Sequence, residues 1–365
     1  KDNIYLLFIF IFRKCIYIYK IFYFSIYMEN FYKNKKILIT GGTGSLGKCL
    51  VKKLIDLGAI TYILSRDEFK QWYLKDRYKL KSNFCLGDIR DKNIDKYFYD
   101  IDIVFHTAAI KHIDIVEKNT DYATDVNVNG TRNIVELCLK HKVKYLVTVS
   151  TDKSCIPTNA YGSSKLLSER LTINSNKLNN ILQASAIRFG NIFASRGSVA
   201  HVFNELLNSE NKKLILFNNQ MTRFTLTIDE ATDHCLQVPI KGYGGDIYIP
   251  KCEKYKILDL AKSFIEVYFK KEINDENLSD YLTIKKLRVS EKIHEDLIYK
   301  YEFCNLIEND NYYLAFTDYN NIPNGTNVID TFNYSSENSN DIKCKKLKSL
   351  INKFKKEREE NKYLW

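Results

Sequence analysis

"ITGGTGSLGKCLVKKL", residues 39–54, decides the fold. The apolar run "KILIT" (36–40) leads into it, and Leu46, Leu50, Val51 and Leu54 follow at helical spacing, so the stretch reads as strand, glycine turn, helix. Gly41, Gly44 and Gly47 would permit a tight turn, let a pyrophosphate approach the backbone, and let the helix pack closely on the strand, while the helix start offers unpaired N–H groups to the anion. Gly42 to Lys48 also satisfies the G-x-x-x-x-G-K pattern of nucleoside-triphosphate loops. That loop needs Ser or Thr next to hold magnesium, and Cys49 stands there. A dinucleotide is the expected ligand.

Outward from this loop, short apolar runs alternate with helical patterns: "AITYIL" (59–64), "NFCLGD" (83–88), "DIVFHTA" (102–108), "KYLVTVS" (144–150) and "QASAIRF" (183–189). Regular strand–helix alternation implies right-handed crossovers and a parallel sheet covered on both faces. The expected class is therefore α/β, a doubly wound parallel sheet (Rossmann) over residues 34–192. A smaller, mixed C-terminal substrate-binding region over 193–365 is expected to return briefly to that sheet. Leu347, Leu350, Ile351 and Phe354 predict an amphipathic closing helix.

The 365 residues carry a formal charge of +11, but the lysines are scattered, which points to an anionic small substrate and away from nucleic acid. Nine cysteines occur with no C-x-x-C pair, as suits a reducing, cytoplasmic compartment. Residues 1–27 are aromatic and apolar but broken by Arg13, Lys14 and Lys20. They are expected to lie upstream of a start at Met28; a membrane anchor is the competing reading. His106 and His112 have no partners at metal-ligand spacing, and no metal is expected.

At the end of the second strand, "YILSRDE" places Ser65 and Arg66 ahead of Asp67. A hydroxyl and a guanidinium there accommodate a 2′-phosphate, so NADP is the expected cofactor. Asp88 and Ile89, after the third strand, are placed to flank the adenine. In "STDKSCIPTNAYGSSK" (150–165), Tyr161 and Lys165 fall four apart on one helix face, and a neighbouring ammonium favours the phenolate that would accept a proton from a substrate alcohol. Asp152 and Lys153 lie just past the fifth strand, at the carboxyl edge where such sheets place ligands, and are expected to face the same crevice.

Residues 34 onward resemble the extended short-chain dehydrogenase/reductases, and within them the C5-inverting UDP-N-acetylglucosamine 4,6-dehydratases of polysaccharide biosynthesis. The resemblance rests on "TGGTGSLG", "SRDE", "GDIRD", "AAIKH", "NVNGT", "STDK", "YGSSK", "RFGN", "SRGSV", "MTRFTLT", "EKIHE" and "YSS", in this order. Family members that only epimerise usually carry small uncharged residues at Asp152 and Lys153, and membrane-bound relatives that retain C5 usually have methionine at Tyr161. A nucleotide-sugar epimerase, or a dehydratase that epimerises further, is the alternative within the family. A silent dinucleotide-binding regulator would commonly lack Tyr161 and Lys165.

The resemblance implies that Tyr161 and Lys165 remove the 4-OH proton, that a partly neutral Lys153 takes the C5 proton, and that a partly protonated Asp152 assists loss of the C6 hydroxyl as water. It implies cofactor contacts from Thr40, Gly41, Gly44, Ser45, Leu46, Gly47, Ser65, Arg66, Asp88, Ile89, Ala108, Ala109, Lys111, Tyr161 and Lys165. Lys111, Asn191, Arg196, Arg223, Arg288 and Glu291 would bind the UDP-sugar, with Arg223 and Arg288 on its diphosphate. A dimer or hexamer is implied. The chain departs from the family at Ile156 (usually Asn), Ala194 (Gly), His201 (Pro) and Val289–Ser290 (Pro-Gly).

Overall fold

The computed structural model describes residues 26–274 and 276–360, so the expectation for residues 1–27 falls almost wholly outside it. Six strands alternate with helices at the start: β1 (Lys36–Thr40), β2 (Ile60–Ser65), β3 (Asn83–Leu86), β4 (Ile103–His106), β5 (Tyr145–Val149) and β6 (Gln183–Ile187). All pair in parallel, with Thr40 opposite His106 and His106 opposite Thr148. Ten further strands follow: β7 (Asn191–Ile192), β8 (Leu214–Leu216), β9 (Thr222–Leu226), β10 (Asp246–Pro250), β11 (Glu253–Lys256), β12 (Leu282–Ile284), β13 (Asp296–Ile298), β14 (Asn305–Glu308), β15 (Tyr312–Phe316) and β16 (Tyr334–Ser335).

The main sheet has nine strands in the order β14-β15-β10-β6-β5-β4-β1-β2-β3. The chain reverses direction across the sheet between β1 and β4, which opens a crevice at their carboxyl ends. Alternation sorts β1 between two cores. Ile37 and Ile39 join the face covered by helices Ser45–Asp56 and Ile228–Lys241; Leu38 joins the face covered by helix Gly130–Lys140. Burial on both faces is why these strands read as unbroken apolar runs.

Two features add detail that the sequence reading did not specify. Three strands beyond residue 193 complete the sheet, β10 in parallel with β6 and β15 and β14 antiparallel, because "DIYIP" and "YYLAF" are buried at every position. Ahead of β1, residues 26–32 are helical and insert Met28 and Tyr32 into the core, with the Tyr32 hydroxyl donating to the Leu236 carbonyl at 2.7 Å. The C-terminal region also has its own core. Helices Val199–Leu207, Ile257–Phe269 and Cys344–Glu360 bring Phe203, Phe264 and Phe354 together edge to face, and the closing helix buries Leu347, Ile351 and Phe354 while Leu350 is half-buried. Among the described residues no helix is long and apolar enough to cross a membrane.

Candidate active site

A cleft of about 770 Å³ opens above the β1–β4 switch and runs from the glycine turn to the C-terminal region. The turn is shaped for close approach. Gly41 has φ +68°, and a Cβ on Gly47 would sit 2.4 Å from the Gly41 carbonyl oxygen, so only glycine lets helix Ser45–Asp56 begin against the strand end. That helix has neither a side-chain cap nor an acidic residue in its first turn, which leaves its N–H groups for an anion. These residues fit a dinucleotide pyrophosphate.

Of the expected cofactor residues, Gly41, Gly44, Ser45, Leu46, Gly47, Ala109, Lys111, Tyr161 and Lys165 line the cleft. Thr40 does not: it is fully buried, and its hydroxyl pairs with His106 Nδ1 at 2.7 Å. His106 is itself held on the other side by Thr131 at 3.0 Å, and burial, then Lys165, push it down to about 3. Ala108 packs its backbone under Gly41. Ile89 does not line the cleft either; its side chain fills the core against Gly130 and its carbonyl accepts from Asn133. At the β2 end, Ser65 bonds Thr43 at 2.8 Å, and Asp67 caps the following helix by accepting from Lys70 N. Arg66 donates to Tyr122 at 2.6 Å and to Asp88 at 3.3 Å. Asp88 lies low, at about 2, because Arg90 and Arg66 outweigh its partial burial.

The chemical residues meet where helix Ala160–Asn174 abuts the loop after β5. Asn159 caps the helix by accepting from Gly162 N at 2.8 Å, and a Cβ on Gly162 would lie 2.1 Å from the Lys153 carbonyl oxygen. Glycine there is what brings the Lys153 loop against Tyr161. Burial pushes Tyr161 up to about 12, opposed by Lys153 and by the Thr151 hydroxyl; burial pushes Lys165 down to about 8.

Lys153 Nζ sits 3.0 Å from Asp152 Oδ1, 3.3 Å from Asn191 Oδ1 and 3.5 Å from Glu295 Oε1. Burial works against its charge, but the two carboxylates hold it protonated well above the usual lysine range, contrary to the partly neutral amine expected. Asp152 is fully buried and does not line the cleft, whereas Lys153 and Glu295 do. Glu295 closes the quoted segment "EKIHE" but had no assigned role; only the fold shows that it faces Lys153.

Asn191, Arg196, Arg288, Glu291 and Lys111 line the cleft as expected for a substrate site. Arg288 is half exposed over the Phe217 ring, 3.8 Å from its centre, and 3.7 Å from Asp114. Arg223 differs. It also lines the cleft, yet it donates to the Thr222, Lys292 and Ile293 carbonyls and lies 3.4 Å from Glu291, so it props the β9 edge. Sequence reasoning also passed over Asn127, which lies in a π-helical turn and clamps Ile110 through both its amide groups while donating to Ser164 at 3.0 Å.

The fold and this site define an extended short-chain dehydrogenase/reductase. Residues 37–317 match the model of the polysaccharide biosynthesis protein family, and the chain belongs to that family. It is 34% identical to the inverting UDP-N-acetylglucosamine 4,6-dehydratase of Campylobacter jejuni serotype O:2 over 84% of this chain and 94% of that one. It is 35% identical to an uncharacterized membrane protein of Methanocaldococcus jannaschii, over 89% of this chain and 97% of the relative. Among solved structures, Pen from Bacillus thuringiensis superposes with a TM-score of 0.79 at 29% identity, covering 88% of this chain and 98% of Pen.

Proposed function

We propose that this protein uses NADP to convert UDP-N-acetylglucosamine into a UDP-4-keto-6-deoxy sugar with inversion at C5, as a cytoplasmic homo-oligomer supplying surface glycan precursors. The carrying observation is that Lys153, with carboxylates on both sides, shares one cleft with Tyr161 and Lys165. A simple alcohol oxidation needs only the tyrosine and lysine. The inverting Campylobacter relative supports the substrate, the Ser65–Arg66 strand end supports the 2′-phosphate, and the eight cysteines among the described residues, all free thiols, support a reducing compartment.

Tyr161, as the phenolate, accepts the 4-OH proton on Oη, and Lys165, one helical turn away on the same helix, favours that phenolate as the ammonium. The nicotinamide, when bound, supplies a hydride acceptor for C4 and a donor for C6. A ketone at C4 acidifies the C5 proton, which Lys153 Nζ removes, and a neighbouring carboxyl protonates the departing C6 hydroxyl. Lys111, Arg196 and Arg288 supply positive charge for the diphosphate.

The test is incubation with UDP-N-acetylglucosamine in deuterium oxide without added cofactor, read by mass and proton NMR. Loss of one water with deuterium at C5 is the expected outcome. Unchanged mass with a C4 epimer would make the protein an epimerase, and no turnover would refute the assignment.

A further inference from the structure

Removing water across C5 and C6 needs a base for the carbon-bound proton and an acid for the leaving hydroxyl. Lys153 can be the base only after losing a proton, and two carboxylates oppose that loss. The acid must reach the substrate. Asp152, adjacent in sequence, is 0% exposed and outside the cleft wall; its Oδ1 is engaged by Thr151 at 2.9 Å and Lys153 at 3.0 Å, and its Oδ2, although without a hydrogen-bond partner among the described residues, is sealed away from the cleft.

Glu295 answers both needs. It lines the cleft, its residue is 3% exposed, and its Oε2 has no hydrogen-bond partner among the described residues. Its backbone is pinned: the N–H donates to Ser336 Oγ at 2.9 Å, and the carbonyl accepts from Ser336 N at 2.7 Å. Ser336 is tied in turn to Thr222 at 2.7 Å. The carboxyl is thus held on a rigid frame. Facing it are Lys153, Asp152, Arg223 and Lys292; burial dominates these and raises its affinity for a proton.

We propose that Glu295 is the catalytic acid, taking the proton of Lys153 and passing it to the departing C6 hydroxyl. The assignment rests on the dehydratase reading above. Transfer of one proton across the 3.5 Å contact converts ammonium and carboxylate into amine and carboxylic acid, with no change in total charge. The amine takes the C5 proton, and the C–H electron pair becomes the C5–C6 π bond. The C6–O bond breaks with its electron pair on oxygen, which receives the Glu295 proton and leaves as water. Lys153 ends as ammonium and Glu295 as carboxylate, as they began. Asp152 stays a carboxylate and orients Lys153.

The test compares wild type, Glu295→Gln and Lys153→Met on UDP-N-acetylglucosamine and on its analogue with fluorine replacing the C6 hydroxyl, since fluoride departs without a proton. Glu295→Gln should lose water elimination by about 10²–10⁴-fold at every pH. It should still expel fluoride, and faster as pH rises, because losing one carboxylate neighbour lets Lys153 deprotonate more readily. Lys153→Met should lose both reactions. Retained nicotinamide and an unchanged unfolding temperature exclude misfolding of Glu295→Gln. Equal loss of water and fluoride elimination, or dehydration at the wild-type rate, overturns the assignment and leaves the dehydratase reading intact. Absence of turnover by wild type overturns both.

Discussion

Arg188 and Glu169 form a two-point ion pair, Nε to Oε1 at 2.9 Å and Nη2 to Oε2 at 2.6 Å, with both side chains wholly shielded from solvent. Arg188 also reaches Glu302, and Glu169 accepts from Ser154 in the loop that carries Lys153. The network ties β6, helix Ala160–Asn174 and that loop together behind the cleft. Arg188→Met would leave two carboxylates without their shared cation. We expect a loss of about 3–5 kcal/mol in denaturant unfolding, partly restored by adding Glu169→Met.

Ile156 has φ +46°, Ala194 +56° and Ser290 +66°, a left-handed region that costs a side chain with a Cβ roughly 1–2 kcal/mol. All three stand where the family resemblance implies Asn or Gly, residues that enter this region most readily. Ile156 is 43% exposed, so little packing is lost by replacing it. Ile156→Asn should stabilise the protein by about 1 kcal/mol in equilibrium unfolding.

Gly47→Ala would drive a methyl group against the Gly41 carbonyl. Overpacking of this kind costs roughly 1–3 kcal/mol. Because the strain falls on the turn that receives the pyrophosphate, dinucleotide affinity measured by calorimetry should drop by about 10- to 100-fold.

Arg66 is tied to Tyr122 and Asp88, and its side chain is half exposed. If it binds the 2′-phosphate, Arg66→Ala should weaken NADP by about 10- to 100-fold, the value of a charge-assisted contact, and leave NAD affinity unchanged. Equal weakening of both would remove the argument for NADP.

Lys165 has a folded-state value of about 8 against an ordinary 10.5, because burial disfavours its charge. Below 8 the folded state carries the full cost of holding it charged. Between the two values the unfolded chain binds more protons, so this group's contribution to stability rises with pH. The cofactor-free protein should therefore gain stability relative to Lys165→Met on going from pH 8 to about 10.5, measured by urea unfolding at each pH.

The parallel half of the sheet and the glycine turn were legible because their causes are local. Unbroken apolar runs such as "KILIT" report burial on both faces, and a glycine triplet between strand and helix reports a close backbone approach. Strands β10, β14 and β15 were less legible, since short runs set among polar residues carry no period that separates them from loops. Tyr161 and Lys165 could be paired from a spacing of four, because a helix fixes that distance.

Sequence alone determined the α/β class, the position of the dinucleotide turn, and the set of chemical groups around residues 150–165. Tertiary structure decided which groups face the cleft and in what charge state. It turned Asp152 inward, tied up Arg223 with backbone carbonyls, and carried Glu295 across more than a hundred residues to within 3.5 Å of Lys153. The physical reason is that burial and electrostatic neighbours are set by contacts between distant segments, which no local spacing encodes.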